Sequence, residues 1–325
     1  MSILRIAQQS LLVLAAVAIN PDSVLAAAIF DFGIPAAWTC SVGICNDPTN
    51  TTVGTSATVT VPSVVIPLSS AYGWVSSFGG VNGASPFANA QVPSSQVTPG
   101  LGNTNGSWLR TTPFVANAGD ALDFQFNYVT SDGGTFADYS WVRLLNAGDL
   151  SQADVIFTAR TTNVPNIDPI PGFGLPAFGQ TTLTMGNNTV ASVPLISAGY
   201  VPSALAPPNY LGVGPTWSPL GAAFDGTCWD IGCGYTGWVS ASYSVAGTGN
   251  YVLEFGVTNW DDNAWDSGLA FNAITIAGTP IEDSSVPEPA TVTLFAAALA
   301  SLGVVRRRKY WADAGQLLLR APSRL

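Results

Sequence analysis

The chain has 325 residues, 47% of them hydrophobic and only 9% charged, with ten tryptophans, 33 glycines and 23 prolines. Disorder requires the opposite balance and is excluded, while the absence of histidine removes Ser-His-Asp and Cys-His catalysis and histidine metal ligation together. Between residues 27 and 286 only Arg110, Arg143 and Arg160 stand against 17 acids, a formal charge of −14, so this body lacks the cations with which proteins hold nucleic-acid phosphates.

From the N-terminus, Arg5 precedes the apolar run 11–19 and the small-residue stretch Val24-Leu25-Ala26-Ala27-Ala28. This positive, apolar, small order is that of a secretory signal peptide. It predicts residues 1–26 as a signal helix removed by signal peptidase after Ala26. The run is too short to cross a bilayer comfortably.

The body, 27–285, repeatedly alternates apolar and polar residues. In 121–128, Leu122, Phe124, Phe126 and Tyr128 share one face, with Asp123, Gln125 and Asn127 opposite; in 251–257, Leu253, Phe255 and Val257 do the same. Shorter candidates are 56–61, 139–145, 155–159, 237–245 and 269–276. Half-buried strands alternate in this way, and no stretch keeps a helical period. Strands separated by Gly, Asn, Asp and Pro turns predict an all-β fold, an antiparallel β-sandwich of jelly-roll type. Residues 160–220 hold ten prolines and read as a long ordered loop pinned by Phe173, Phe178, Tyr200, Tyr210 and Trp217.

The four cysteines form two C-x4-C pairs, Cys40/Cys45 and Cys228/Cys233. Three pairings are formally open; in an exported chain the spacing favours 40–45 and 228–233 as disulfides. A four-cysteine zinc site is the alternative, against which stand its usual spacing and its need for reduced thiolates.

Two further features bear on chemistry. Asn259-Trp-Asp-Asp-Asn-Ala-Trp-Asp-Ser267 gathers oxygen ligands between two strands, so Asp261, Asp262 and Asp266 are candidates for binding Ca2+; no other cofactor is implied. The loop is not an EF-hand, because counting from Asp261 places Trp265 where that loop needs an oxygen and Asp266 where it needs glycine. An acidic turn satisfying its own backbone is the simpler account of the same residues. Asp225, Asp230, Glu254, Asp261, Asp262 and Asp266 would also supply paired carboxylates for a glycoside hydrolase, but Glu254 falls mid-strand and no acid has a recognisable motif around it.

At the C-terminus, Pro287-Glu288-Pro289 leads into the uncharged stretch 290–305, closed by Arg306, Arg307, Arg308 and Lys309. The stretch predicts a transmembrane helix whose basic end stays cytoplasmic, placing the body outside. Tripeptide, helix and arginine cluster in this order resemble a PEP-CTERM sorting signal, 286–309. The resemblance implies processing by an exosortase near Pro287–Pro289, at the plasma membrane of a bacterium that makes extracellular polysaccharide. The tail 310–325 departs from the family pattern, whose members end soon after the arginines.

The body also resembles a group of PEP-CTERM-tagged secreted proteins of unknown function. The matching stretches include Trp38-Thr-Cys40, Tyr72-Gly-Trp-Val75, Asn117-Ala-Gly-Asp120, Phe157-Thr-Ala-Arg160, Gly232-Cys-Gly-Tyr-Thr-Gly-Trp238 and Asp266-Ser-Gly-Leu-Ala-Phe271. Together these readings predict a secreted or cell-surface protein with a non-enzymatic structural or adhesive role beside extracellular polysaccharide. A Ca2+-dependent carbohydrate-binding module is the alternative, and a glycoside hydrolase ranks third.

Overall fold

The computed structural model describes residues 29–31, 33–56, 71–87, 102–162, 168–194, 196–197 and 212–281, within a compact unit that ends at Ile281. The predicted signal peptide with Ala26, the Pro287-Glu288-Pro289 signal, the helix 290–305, Arg306–Arg308 and the tail lie outside the described residues. Among the described residues no helix is long and apolar enough to cross a membrane.

Ten strands carry most of the pairing: β1 (Val53–Ser56), β2 (Tyr72–Ser76), β3 (Asn103–Arg110), β4 (Ala121–Thr130), β5 (Tyr139–Asn146), β6 (Asp149–Arg160), β7 (Thr181–Met185), β8 (Val239–Ser244), β9 (Gly249–Trp260) and β10 (Ser267–Ile276). One sheet runs β3-β9-β5-β6, with Thr39–Cys40 added beyond β3; the other runs β7-β8-β4-β10-β2-β1, with Asn188–Val190 beyond β7. All these pairings are antiparallel. When β2, β3, β4, β5, β6, β8, β9 and β10 are counted as eight successive strands, one sheet holds the first, eighth, third and sixth. The other holds the second, seventh, fourth and fifth, which is the order of a jelly roll.

The alternation read from the sequence is what closes the sandwich. Leu122, Phe124, Phe126 and Tyr128 of β4 and Leu253, Phe255 and Val257 of β9 all join one buried cluster. Phe126 stacks on Phe157 of β6 at 4.1 Å, and Phe255 on Phe271 of β10 at 3.9 Å. Each stack joins one sheet to the other, and such pairs add roughly 0.5–1.5 kcal/mol beyond the area they bury.

The outer face of the first sheet buries a charge as well. Glu254 of β9 lies opposite Arg110 of β3 and Arg143 of β5. Its Oε2 meets Arg110 and its Oε1 meets Arg143, both at 2.7 Å, and Oε1 also accepts the Trp141 indole N–H at 2.8 Å. Two of the three cations of the body thus serve one acid.

At the edge of this sheet, residues 149–154 of β6 are exposed, and the β5–β6 ladder shifts register between Val142 and Arg143 and again between Leu145 and Asn146. The proline-rich stretch is more regular than its composition suggests. It contains β7, which turns at Gly186 (φ 58°) into Asn188–Val190. Further along, Trp217 is fully buried and donates its indole N–H to Tyr72 Oη at 3.0 Å.

Candidate functional site at one end of the sandwich

Three loops meet where β4, β6 and β9 end and β5 and β10 begin. Loop 131–138 joins β4 to β5, loop 261–266 joins β9 to β10, and the segment closed by Cys228–Cys233 lies against the first of them. Gly134 N–H donates to the Ile231 carbonyl at 2.9 Å, and Trp229 N–H to the Ser131 carbonyl at 3.0 Å. The approach is close enough that a Cβ on Gly133 would stand 2.6 Å from Asp230 Cβ, and one on Gly232 (φ 112°) 2.8 Å from Gly134 N. Glycine is therefore required at both contacts.

Cys40 is bonded to Cys45 and Cys228 to Cys233, with Cα atoms 5.7 and 5.9 Å apart. Of these two predicted pairs, only Cys228–Cys233 reaches the loop end, where it holds the covering loop in place. Cys40 and Cys45 take no part in this site. Cys40 pairs with Leu109, near the far end of β3 from Asn103, and Cys45 is buried with its Sγ 3.6 Å from the Trp38 carbonyl oxygen. That clip packs into the main apolar cluster beside Trp38 and Leu109, so its part is structural.

Beneath the covering loop lie three buried aspartates, Asp132, Asp138 and Asp266. Asp138 Oδ1 accepts Trp260 N–H at 2.8 Å and its Oδ2 accepts Ser267 Oγ–H at 2.7 Å. Asp266 Oδ1 accepts Ser77 Oγ–H at 2.9 Å and the Asn259 amide at 3.1 Å. Asp132 Oδ1 accepts Gly133 N–H at 2.6 Å, and its Oδ2 has no partner.

Removal from water pushes all three carboxyls up. Asp132 and Asp138 rise well above the usual range, with Asp138 and Asp262 adding repulsion at Asp132, and Asp266 rises to about 6. Asp262, half-buried, is also raised by burial, although its Oδ1 accepts Ala264 N–H at 2.9 Å.

The nearest cation forms no ion pair with them. Arg160, fully buried at the end of β6, donates Nε–H to the Ala137 carbonyl at 2.9 Å and sits over the rings of Trp260, Tyr139 and Phe173. Burial lowers it to about 10, opposed by Tyr139, Tyr128, Asp138 and Asp261.

The predicted Ca2+ ligands fall in this region, but each is engaged separately. Asp261 (φ 72°) accepts Gly102 N–H on Oδ1 at 3.0 Å, Asp262 caps its own turn, and Asp266 faces Ser77 and Asn259. Among the described residues no three acids or cysteines are placed to hold one metal ion, so the three aspartates do not form one coordination sphere as they stand. Glu254 lies seven residues up β9 from Asp261, roughly 20 Å at strand rise, far beyond the separation of a glycosidase carboxylate pair. Asp225 is bound to Trp217 N–H and Asp230 to Ile231 N–H.

Sequence reasoning missed a run of aromatic rings over the same loops. Phe136 contacts Trp229 (centroids 6.4 Å apart), Trp229 contacts Trp265 (5.4 Å) and Trp265 contacts Phe224 (5.1 Å). All four are half-buried, and Trp265 takes a left-handed backbone, φ 62°, rare for so bulky a residue. The signal was legible only as the local sequence Trp260-Asp-Asp-Asn-Ala-Trp265; the other rings come from loops about 40 and 130 residues upstream.

The fold and its clipped loops define an all-β, disulfide-bonded sandwich. Residues 285–309 match the PEP-CTERM protein-sorting motif, so this sandwich belongs to a chain that carries a PEP-CTERM sorting domain. No curated protein and no solved structure matched it.

Proposed function

We propose that this protein is exported, processed through its C-terminal motif by an exosortase-type enzyme, and acts at the cell surface or in the extracellular matrix in a structural or adhesive, non-enzymatic role. The observation that carries the reading is the motif at residues 285–309, which implies C-terminal sorting and membrane association. Two local disulfides suit an oxidising exterior, and a body almost free of cations suits a surface without nucleic acid.

Intact mass of the full chain recovered from cells and medium tests it. The expected masses correspond to cuts after Ala26 and near Pro287–Pro289, and about four hydrogens fewer than the reduced chain. A mass running from Met1 to Leu325 with free thiols would overturn the reading.

A carbohydrate-binding module is the second reading, favoured by the four half-buried rings over the loop end. Its Ca2+-dependent form requires Asp261, Asp262 and Asp266 to converge on one ion. Calorimetric titration with Ca2+ alone decides this: no binding at millimolar concentration leaves any glycan contact independent of the ion.

A further inference from the structure

We infer that the ring file Phe136–Trp229–Trp265–Phe224 is a binding site for an uncharged glycan chain. The inference rests on the surface-adhesive reading and gives it a ligand class and an address.

The rings touch one another in single file, and each remains partly in water. Two tryptophans and two phenylalanines contiguous at a surface form an apolar strip of the kind that marks an interaction site. The strip is supported from below. Cys228–Cys233 fixes the loop that carries Trp229, and Asp225 holds the turn near Phe224 through Trp217 N–H. The left-handed backbone at Trp265 is the kind of local strain that persists where surrounding structure imposes it for a purpose.

The chemistry around the strip selects the occupant. Its flanking charges are the carboxylates of Asp225, Asp230 and Asp262, all half-buried. Arg160, the cation nearest these loops, is buried beneath them and turned to the Ala137 and Phe173 carbonyls. An anionic polymer would be repelled. A single file of rings is also narrow beside the ~800 Å2 that each partner contributes to a standard protein interface. A linear chain of neutral pyranoses fits both constraints. The C–H face of each sugar carries the partial positive charge that a ring face attracts, and its hydroxyls can donate to carboxylate oxygens at the rim.

The test uses the full chain, oxidised, and a panel of hexose and N-acetylhexosamine oligomers beside a uronate oligomer. Binding is followed by indole fluorescence and calorimetry. At least one uncharged oligomer should bind, insensitive to EDTA. Trp265→Ala should weaken it about tenfold or more, as removal of a central aromatic anchor does. Trp265→Phe should restore most of the affinity, and Val115→Ser, at an exposed residue paired with Asn250 at the opposite end of β9, should change nothing. If Trp265→Ala does not fold, Phe224→Ala at the end of the strip is read in its place. Failure of every uncharged oligomer to bind, equal binding of the uronate, or affinity indifferent to both ring substitutions overturns the proposal. Retention of wild type and Trp265→Ala on the cell surface is scored separately. A chain that stays attached yet binds no sugar sinks this site and leaves the adhesive reading standing.

Discussion

The molecule buries acids in two places and treats them in opposite ways. Glu254, on the outer face of the first sheet, receives two guanidinium groups and an indole N–H. Asp132, Asp138 and Asp266, at the loop end, receive only hydroxyl and amide donors, and Asp132 leaves one oxygen unpartnered. The first arrangement neutralises its charge and fixes three strands in register. The second offers no opposite charge, and burial raises the affinity of its carboxyls for protons instead. A buried acid without a counter-ion is tolerated here by its raised affinity for a proton, and the buried cation Arg160 by backbone carbonyls and aromatic faces.

The largest expected effect breaks the first site. Glu254→Gln leaves Arg110 and Arg143 without their carboxylate, and urea denaturation should show a loss of about 3 kcal/mol, near the low end for one partner of a buried pair because both arginines keep some solvent. Next, Cys228→Ser with Cys233→Ser opens the loop over Asp132. Closing so short a loop is worth about 2 kcal/mol in the chain-entropy account, and the double variant should lose about that much with its sheets intact by circular dichroism.

The second site is tested by pH. Its carboxyls are raised in the folded chain, so the folded state keeps protons that the unfolded chain, near 3.8, has released. Their stabilising contribution is complete below about pH 4 and fades as pH rises through the folded values, near 6 for Asp266. The melting temperature should accordingly fall from pH 4 to pH 7. The smallest effect sharpens the contrast: Asp266→Asn, which keeps an oxygen for Ser77 and Asn259, should flatten part of that slope and change stability at pH 4 by less than about 1 kcal/mol. A slope unchanged in Asp266→Asn would show that this carboxyl is ionised in the fold.

Much of the sandwich was legible because its inner faces alternate. The stretches 121–128 and 251–257 are the cores of β4 and β9, and 139–145 and 269–276 lie in β5 and β10. β2, β3 and β7 escaped. β3 reads Asn-Thr-Asn-Gly-Ser-Trp-Leu-Arg, and its place between Thr39–Cys40 and β9 is set by backbone pairing and by Gly106, where a Cβ would meet the Val257 carbonyl at 2.4 Å. The candidate 56–61 overlaps described strand only at Ser56, the last residue of β1.

At the loop end, Asp261, Asp262 and Asp266 stood out because they are close in sequence. Asp132 and Asp138 did not, because both depend on burial, and Asp138 on partners 122 and 129 residues away. The two C-x4-C pairs look alike as sequence, yet Cys228–Cys233 clips the loop end while Cys40–Cys45 braces the margin beside β3, a difference that only the pairing of Cys40 with Leu109 reveals. Arg160 was visible as a scarce cation, but its enclosure by Tyr139, Phe173 and Trp260 arises from three separate segments.

Among the described residues, the first half of β6 forms an exposed margin of the sheet, which bears on how copies of the chain meet one another. An exposed strand edge is a template on which a neighbouring copy can zip up into a growing fibril. Here the exposed half begins at Asp149, includes Asp154, and belongs to a ladder twice thrown out of step. Like charge and a crooked margin both work against such edge-to-edge pairing.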